Sequence, residues 1–297
     1  MGHPANSIAI RPISLGLSSE ELLALVGAAL KEDLGCGDLT TRLTVAAGRR
    51  ARGALLSQQE LVVAGLPVAA EVFRALDSET RFEPAVEDGA EVCAGAQLAL
   101  VTGRAATLLA GERVALNFLQ RLCGIATFTC RLRTRLVGLR TELLDTRKTT
   151  PGLRALEKYA VRVGGGKNHR LRLDDGILIK NNHLRLAGGI RAAVESARKN
   201  RAQEAVNLPV EVEVSNVAEL DEAIAAGAEA VLLDNMTPAQ VRDCVGRAAG
   251  GVRLEVSGGV NISNIRAYAE AGVDAISVGA LTHSAPAANI HFLIEPL

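Results

Sequence analysis

The stretch Ala230-Val-Leu-Leu-Asp234, closely followed by Thr237-Pro-Ala-Gln240, is the clearest guide to how this chain folds. The first segment is a short apolar run of the kind that forms a strand buried on both faces. The second segment resembles a capping box with proline at the first helical position, which favours the start of a helix. A buried strand that passes directly into a helix is the repeating unit of a parallel sheet.

Five further short apolar runs lie beyond residue 140, and most end in a polar residue or a glycine. They are Glu142-Leu-Leu-Asp145, Gly176-Ile-Leu-Ile-Lys180, Val210-Glu-Val-Glu-Val214, Arg253-Leu-Glu-Val-Ser257 and Ala275-Ile-Ser-Val-Gly279. Two more helix starts are Asn216-Val-Ala-Glu219 and Ser263-Asn-Ile-Arg266. Repeated strand and helix units with right-handed crossovers favour a parallel sheet closed into a barrel, and a doubly wound open sheet remains an alternative.

The N-terminal part of the chain has a different pattern. Residues 1 to about 18 look like an irregular lead-in, and Ser18-Ser-Glu-Glu21 has the N-cap serine and early acids of a helix start. Short runs rich in valine and leucine over residues 40–102 predict strands and hairpins around one helix at about residues 68–76. A long helix is predicted over about residues 107–136.

These patterns together predict an α/β protein of two domains. We expect a smaller N-terminal α/β sandwich domain over residues 1–116. A C-terminal parallel α/β barrel, incomplete and TIM-like, is expected over residues 117–297. The extreme C-terminus is expected to pack back on the N-terminal domain.

The composition excludes several classes of protein. The chain has 297 residues, 48% of them hydrophobic, and a formal net charge of zero, so it can bury a large core. Only 2% of its residues are aromatic, which argues against a nucleic-acid partner that is bound by base stacking. No apolar run is long enough to cross a membrane and no signal sequence is visible, so we expect no membrane partner and a cytoplasmic location. The five scattered cysteines form no Cys-x-x-Cys pair, which argues against disulfides and zinc and favours buried thiols.

Positive charge is concentrated in one segment of this neutral chain. From Arg147 to Lys180 there are nine lysines or arginines and three acids, a balance of plus six. Such charge beside the glycine-rich Val163-Gly-Gly-Gly-Lys-Asn-His-Arg170 favours an anionic ligand, because these cations form charge-assisted hydrogen bonds with carboxylate or phosphate. The alternative is a solvated helix face.

The residues that end the predicted strands are candidates for the active site, which in a parallel barrel lies at the carboxyl ends of the strands. In chain order these residues are Arg147 and Lys148, then Lys180, Glu213, Asp234, Ser257-Gly-Gly259 and Val278-Gly-Ala280. Glu213 and Asp234 stand where Mg²⁺ or sugar hydroxyls could be held, and Mg²⁺ suits one or two carboxylates plus substrate oxygens. The two glycine turns could present backbone N–H groups to a phosphate.

A set of motifs in fixed order resembles one known family. The motifs are Glu112-Arg-Val-Ala-Leu-Asn117, Asp145-Thr-Arg-Lys-Thr-Thr-Pro-Gly152, Glu157-Lys-Tyr159, Gly164-Gly-Gly-Lys-Asn-His-Arg170, Ile179-Lys-Asn-Asn-His183, Val212-Glu-Val214, Leu233-Asp-Asn235, Val256-Ser-Gly-Gly259 and Ile276-Ser-Val-Gly-Ala-Leu-Thr282. In these motifs the chain resembles quinolinate phosphoribosyltransferase over nearly its whole length. Lys167 inside the glycine motif and Asn181 after the strand lysine are mild departures, which bear on substrate preference.

The resemblance implies a reaction and a set of site residues. Quinolinate and phosphoribosyl pyrophosphate (PRPP) would give nicotinate mononucleotide, pyrophosphate and CO₂ in NAD biosynthesis, with Mg²⁺ bound mainly through PRPP near Glu213 and Asp234. The implied quinolinate-binding residues are Arg113, Thr146, Arg147, Lys148, His169, Arg170 and Lys180. The implied PRPP-binding residues are Glu213, Asp234, Ser257, Gly258, Gly259, Val278, Gly279 and Ala280. Lys148, Glu213 and Asp234 would be catalytic.

The resemblance also implies a homodimer whose active site is shared, with Arg113 entering the neighbouring subunit's site, and it leaves a trimer of dimers open. From the residues alone, Arg113 shares a helix face with Leu109 and Leu116 and could equally be a snorkelling side chain. Three other functions remain as alternatives. They are a sister phosphoribosyltransferase with another pyridine or base as substrate, a lyase with a Schiff base on Lys148 or Lys180, and a nucleic-acid patch.

Overall fold

The computed structural model describes residues 13–297, so most of the predicted lead-in lies outside the described residues. The N-terminal elements are α1 (Ser19–Leu34), α2 (Leu39–Thr44), β1 (Arg50–Ser57), β2 (Leu61–Val62), α3 (Leu66–Leu76), β3 (Arg81–Pro84), β4 (Glu91–Val92) and β5 (Gln97–Arg104). The predicted start of α1 is confirmed, because Ser18 and Glu21 cap each other's backbone N–H groups. The sequence did not predict α2.

The N-terminal sheet is antiparallel and includes the end of the chain. Its strand order is β12-β1-β5-β3, where β12 spans Ile290–Pro296. Strand β12 pairs with β1 from Ser57↔Ile290 to Ala51↔Pro296. The last strand of the chain is therefore a structural part of the N-terminal domain.

The long helix α4 (Ala105–Thr134) joins the two domains without a break. It packs on α3 and β1 of the N-terminal domain and on the barrel helix α5 (Arg154–Val163). Gly164, which follows α5, approaches α4 so closely that a Cβ would lie 2.3 Å from the carbonyl oxygen of Ala126. The predicted domain boundary at residues 116 and 117 falls inside this helix, so no flexible linker separates the two domains there.

The C-terminal domain alternates strands and helices as predicted. Its strands are β6 (Glu142–Leu144), β7 (Ile177–Ile179), β8 (Val210–Val214), β9 (Ala230–Asp234), β10 (Arg253–Ser257) and β11 (Ala275–Ser277). The helices after α5 are α6 (Asn181–Ala187), α7 (Ile190–Gln203), α8 (Val217–Ala225), α9 (Pro238–Ala248), α10 (Ile265–Glu270) and α11 (Ala280–His283). The predicted caps at Thr237 and Asn216 are confirmed. The helix predicted to start in Ser263-Asn-Ile-Arg266 begins within that stretch, at Ile265, with Asn264 as its N-cap.

The order of the parallel strands identifies an incomplete barrel. The order is β6-β11-β10-β9-β8-β7, so that the first strand of the domain pairs with the last one. A doubly wound sheet would place its first strand in the interior, with strands added on both sides, so that alternative is wrong. The gap lies between β6 and β7, where Lys167 forms an isolated bridge to Leu144 and brings the glycine motif to the edge.

Two other sequence predictions concern the cysteines and the membrane. Of the five cysteines, only Cys123 and Cys244 are buried, whereas Cys36 and Cys93 are exposed and Cys130 is half-buried. The prediction of mostly buried thiols is therefore wrong, and all five cysteines are free. Across residues 13–297, none of the helices is both long and apolar enough to cross a membrane.

Candidate active site

The register of the parallel sheet brings the predicted strand-end residues to one rim. Asp234 lies beside Ser257, and Ser257 lies beside Ser277, immediately before the second glycine turn. On the other side, Ile179 pairs with Val212, so that Lys180 and Glu213 follow at the same level. Strands that run in one direction present all their carboxyl ends at the same edge. The predicted cations and acids therefore share one end of the barrel.

The loop after β6 carries Thr146, Arg147 and Lys148 on this rim. The Thr146 hydroxyl accepts a hydrogen bond from the Lys148 N–H at 3.0 Å, and the Lys148 carbonyl accepts one from the Thr282 hydroxyl at 2.8 Å. A Cβ on Gly279 would lie 3.0 Å from the Lys148 Cδ, so the exposed lysine crosses directly over the last glycine turn. Lys148 therefore stands between the cationic loops and that turn.

Two guanidinium groups lie close together at the gap in the barrel. Burial, and then the neighbouring charge of Arg147, lower the pKa of Arg170. The Arg170 Nη1 donates to the Gly176 carbonyl at 3.0 Å. The Nε of Arg147 is buried and has no hydrogen-bond partner within residues 13–297. Two neighbouring cations that still have free N–H donors can bind an anion with more than one negative group.

On the opposite part of the rim, a lysine and two acids occupy neighbouring strand ends. Lys180 Nζ lies 3.4 Å from Glu213 Oε2, and the Glu213 side chain is almost fully buried. Asp234 accepts a hydrogen bond from the Asn235 side-chain amide at 2.9 Å. The negative charge of Glu213 is thus partly offset by Lys180, whereas the carboxylate of Asp234 forms no ion pair within residues 13–297.

The first predicted phosphate-binding turn requires glycine. Gly258 has a φ of +91°, and a Cβ there would lie 2.2 Å from Asn235 Oδ1. Its neighbour Gly259 has a φ of +65°. The backbone therefore lies directly against the residue that follows Asp234, which brings the turn beside that acid.

The second predicted turn offers fewer donors than the sequence suggested. The N–H of Val278 donates to the Leu144 carbonyl at 2.9 Å and so belongs to the sheet. The Val278 side chain is also buried. Any phosphate contact at this turn therefore falls to the backbone of Gly279 and Ala280.

Arg113 lies away from these contacts. It is exposed on α4, whereas Leu116 is buried and Leu109 is half-buried. Within residues 13–297, Arg113 forms no hydrogen bond or ion pair with a strand-end residue. In the described part of its own chain, Arg113 is therefore separate from the strand-end residues of the rim.

Comparisons with known proteins identify the family. The N-terminal domain model of quinolinate phosphoribosyl transferase matches residues 38–123, and the C-terminal domain model matches residues 125–292. The chain belongs to the quinolinate phosphoribosyl transferase family. It is 44% identical over 264 residues to the nicotinate-nucleotide pyrophosphorylase [carboxylating] of Mycobacterium leprae, covering 86% of this chain and 91% of that protein. Over 254 residues it is 42% identical to the probable enzyme of that name from Synechocystis, covering 84% of this chain and 85% of the relative.

A solved structure agrees in fold over almost the whole chain. The nicotinate-nucleotide pyrophosphorylase of Francisella tularensis superposes with a TM-score of 0.89 at 40% identity, covering 96% of this chain and 100% of that one. The predicted fold class is thereby confirmed. The family assignment from the sequence motifs is also confirmed.

This quinolinate phosphoribosyl transferase family member also has a charged cluster that the sequence analysis missed. His169 Nε2 lies 3.5 Å from Glu211 Oε2 and 3.6 Å from Glu255 Oε1. Burial alone would lower the pKa of His169, but the two carboxylates outweigh burial and raise it. Burial, and then the charge of Glu211, raise the pKa of Glu255 to about 7. The two carboxylates therefore favour the cationic form of His169.

A signal for these acids was present in the sequence. Side chains in a strand alternate between its two faces, so Glu211 must share the face of Glu213, and Glu255 must share that of Ser257. Carboxylates on the inward face of a buried strand need a partner inside the barrel. The alternation of side chains along each strand predicted which face these acids share. Only the fold could show that His169, from another segment, contacts them.

Proposed function

We propose that this protein transfers the phosphoribosyl group of PRPP to quinolinate with decarboxylation, giving nicotinate mononucleotide, pyrophosphate and CO₂. The reaction would supply the nicotinate nucleotide of de novo NAD biosynthesis. The observation that carries the proposal is the rim on which clustered cations face acids and glycine turns. The relatives support the proposal as well, because those with 42–44% identity are named for this activity.

Quinolinate carries two carboxylates on a pyridine ring, and the cationic side of the rim matches that charge. Arg147 and Arg170 are assigned to bidentate contacts with carboxylate oxygens, because their forked donors fit that geometry. Lys148 and His169 add charge, and Thr146 holds the loop that carries Lys148. An anion of two charges is costly to bury unless several cations meet it.

PRPP is assigned to the other side of the rim. The backbone of Ser257, Gly258 and Gly259 and that of Gly279 and Ala280 would meet the phosphates. Asp234 would lie near the ribose and Mg²⁺, and Glu213 beside them with its charge already paired to Lys180. The oxygen donors fit Mg²⁺, which accepts carboxylate and phosphate oxygens but rarely a complete cage of protein ligands. When bound, Mg²⁺ supplies charge neutralisation for the pyrophosphate.

The bond changes follow from this placement. The pyridine nitrogen forms a bond to the anomeric carbon of the ribose as the bond from that carbon to pyrophosphate breaks. Positive charge develops on the ribose, and the carboxylates of Asp234 and Glu213 stabilise it. The ring nitrogen is then positive and stabilises the electron pair left on the adjacent ring carbon when its carboxylate leaves as CO₂, and a proton forms the new bond with that pair. Positioning and fixed charge are the protein's contribution, and no covalent nucleophile is assigned.

The assembly belongs to the same proposal. Arg113 is exposed on α4 and meets no strand-end residue of its own chain within the described residues. A two-fold dimer that places α4 against the rim of a second copy would give each site one arginine from its partner. We therefore assign Arg113 to a shared active site, and a trimer of such dimers remains open. A cytoplasmic location stays a prediction.

One assay tests the reaction against its nearest alternative. Purified protein is incubated with PRPP, Mg²⁺ and either quinolinate labelled in the 2-carboxylate or nicotinate. We expect labelled CO₂ and nicotinate mononucleotide to form in equal amounts from quinolinate, and no nucleotide from nicotinate. Faster use of nicotinate, or nucleotide without CO₂, would assign the chain to a sister phosphoribosyltransferase activity.

A further inference from the structure

Directly beneath the cationic loops lies an ion pair that the proposed reaction does not use. Lys158 on α5 and Asp145 at the end of β6 are both fully buried, and Lys158 Nζ lies 2.5 Å from Asp145 Oδ1. Neither side chain can reach solvent or a ligand. Burial of an ion pair generally adds little stability over apolar residues of the same size, because both charges lose their hydration. The pair therefore calls for an explanation other than stability.

The remaining bonds of the pair all go to the segment that carries His169 and Arg170. Lys158 Nζ donates to the carbonyl of His169 at 2.7 Å and to that of Arg170 at 3.2 Å. Asp145 accepts from the N–H of His169 at 2.8 Å and from the side-chain amide of Asn168 at 2.6 Å. An ammonium has three N–H donors, so all the donors of Lys158 are bound, one by Asp145 and two by these carbonyls.

This arrangement fixes backbone at the position where the barrel is open. The 168–170 segment lies in the gap between β6 and β7, where a complete barrel would have ladder hydrogen bonds on both sides. Lys167 reaches β6 by a single bridge. Beyond it, the buried pair binds three backbone groups, the N–H and the carbonyl of His169 and the carbonyl of Arg170. Because hydrogen bonds fix this backbone, the side chains that it carries can adopt fewer positions. This favours a preorganised site.

We infer that Asp145 and Lys158 are positioning residues that hold His169 and Arg170 in the geometry needed for a pyridine dicarboxylate. The inference rests on the proposed function for the identity of the ligand. The ion pair acts only through the backbone of the segment and touches no substrate atom. Its loss should therefore weaken the quinolinate side of the site and leave the PRPP side unchanged.

The test uses two variants and one matched control. Lys158→Met keeps the length of the side chain and removes its charge and donors. Asp145→Asn combined with Lys158→Gln removes both charges together, so that no unpaired charge is left buried if the single variant fails to fold. Lys199→Met is the control, because it makes the same replacement at an exposed lysine on α7, outside the segment that carries His169 and Arg170.

Three quantities are measured on the full-length protein. Calorimetry gives the affinity for quinolinate alone and for PRPP with Mg²⁺, thermal unfolding gives stability, and amide hydrogen exchange gives the protection of residues 168–170. For both variants we expect quinolinate to bind at least about tenfold more weakly, because a misplacement of about 1 Å has effects of this size or more. PRPP affinity should stay within about twofold, exchange at the His169 amide should accelerate, and the control should match the wild type.

The outcomes separate the inference from the proposed function. Equal weakening of quinolinate and PRPP, or quinolinate affinity within about twofold of wild type in both variants, would overturn the positioning role. If wild-type protein binds no quinolinate at all, the proposed function fails, and exchange at residues 168–170 decides the inference. Faster exchange confined to that segment supports positioning, and unchanged exchange refutes it.

Discussion

Replacing Arg170 with alanine tests the candidate site most directly. The guanidinium is partly buried beside Arg147, and within the described residues one hydrogen bond, to the Gly176 carbonyl, holds it in place. Arginine has five N–H donors, so most of them are available to a carboxylate. Removal of one partner from a desolvated charge pair costs about 2–5 kcal/mol, which corresponds to a loss of about 30-fold or more in kcat/KM.

The assay is release of CO₂ from 2-carboxyl-labelled quinolinate under saturating PRPP, with thermal unfolding measured on the same samples. Arg172→Ala is the matched control, because Arg172 lies two residues away and is exposed. In the part of the chain that the structure describes, it forms only a 3.5 Å surface pair with Asp174. We expect the control to stay within about twofold, since exposed pairs contribute about 0–1 kcal/mol. Arg170→Lys should fall between the two, because lysine keeps the charge but cannot form a bidentate contact. Near-normal kinetics for Arg170→Ala in a folded protein would refute the assigned quinolinate pocket.

Three further predictions follow from the site. Asp234→Asn should weaken binding of PRPP with Mg²⁺ more than binding of quinolinate in separate calorimetric titrations, whereas equal losses would contradict the assignment of this acid. A mixture of Arg113→Ala and Lys148→Ala proteins, dissociated and reassociated, should regain roughly a quarter of wild-type activity from two nearly inactive parents if the site is shared. A mixture that stays inactive despite proven subunit exchange would show that Arg113 does not act in the partner's site. Because the pKa of Glu255 is raised to about 7 in the fold, its contribution to stability is complete below about pH 4.5 and is lost as the pH rises through about 7. Glu255→Gln should therefore gain stability relative to wild type over that range, by up to about 3 kcal/mol in chemical denaturation, and a difference that does not change with pH would exclude this ionisation.

The sequence by itself determined the repeating units of the barrel and most of the rim. Short apolar runs followed by capping residues predicted β8, β9 and β10 and the helices after them, because both signals depend only on neighbouring residues. The candidate cations, acids and glycine turns could be read from strand ends for the same reason, since a parallel sheet places all those ends together. The family motifs indicated the reaction class as well, because their residue types and their order along the chain do not depend on folding.

Only the tertiary structure decided which charged residues meet. Pairing of β6 with β11 excluded the open sheet, and pairing of β12 with β1 joined the chain's end to the N-terminal domain. No local pattern could show that Lys158 donates hydrogen bonds to the 168–170 segment, or that His169 lies between Glu211 and Glu255. These contacts join residues far apart in the chain, and their cost or benefit depends on burial, which exists only once the barrel has folded. Local periodicity therefore determined the elements and their ends, whereas the folded barrel determined which buried charges meet.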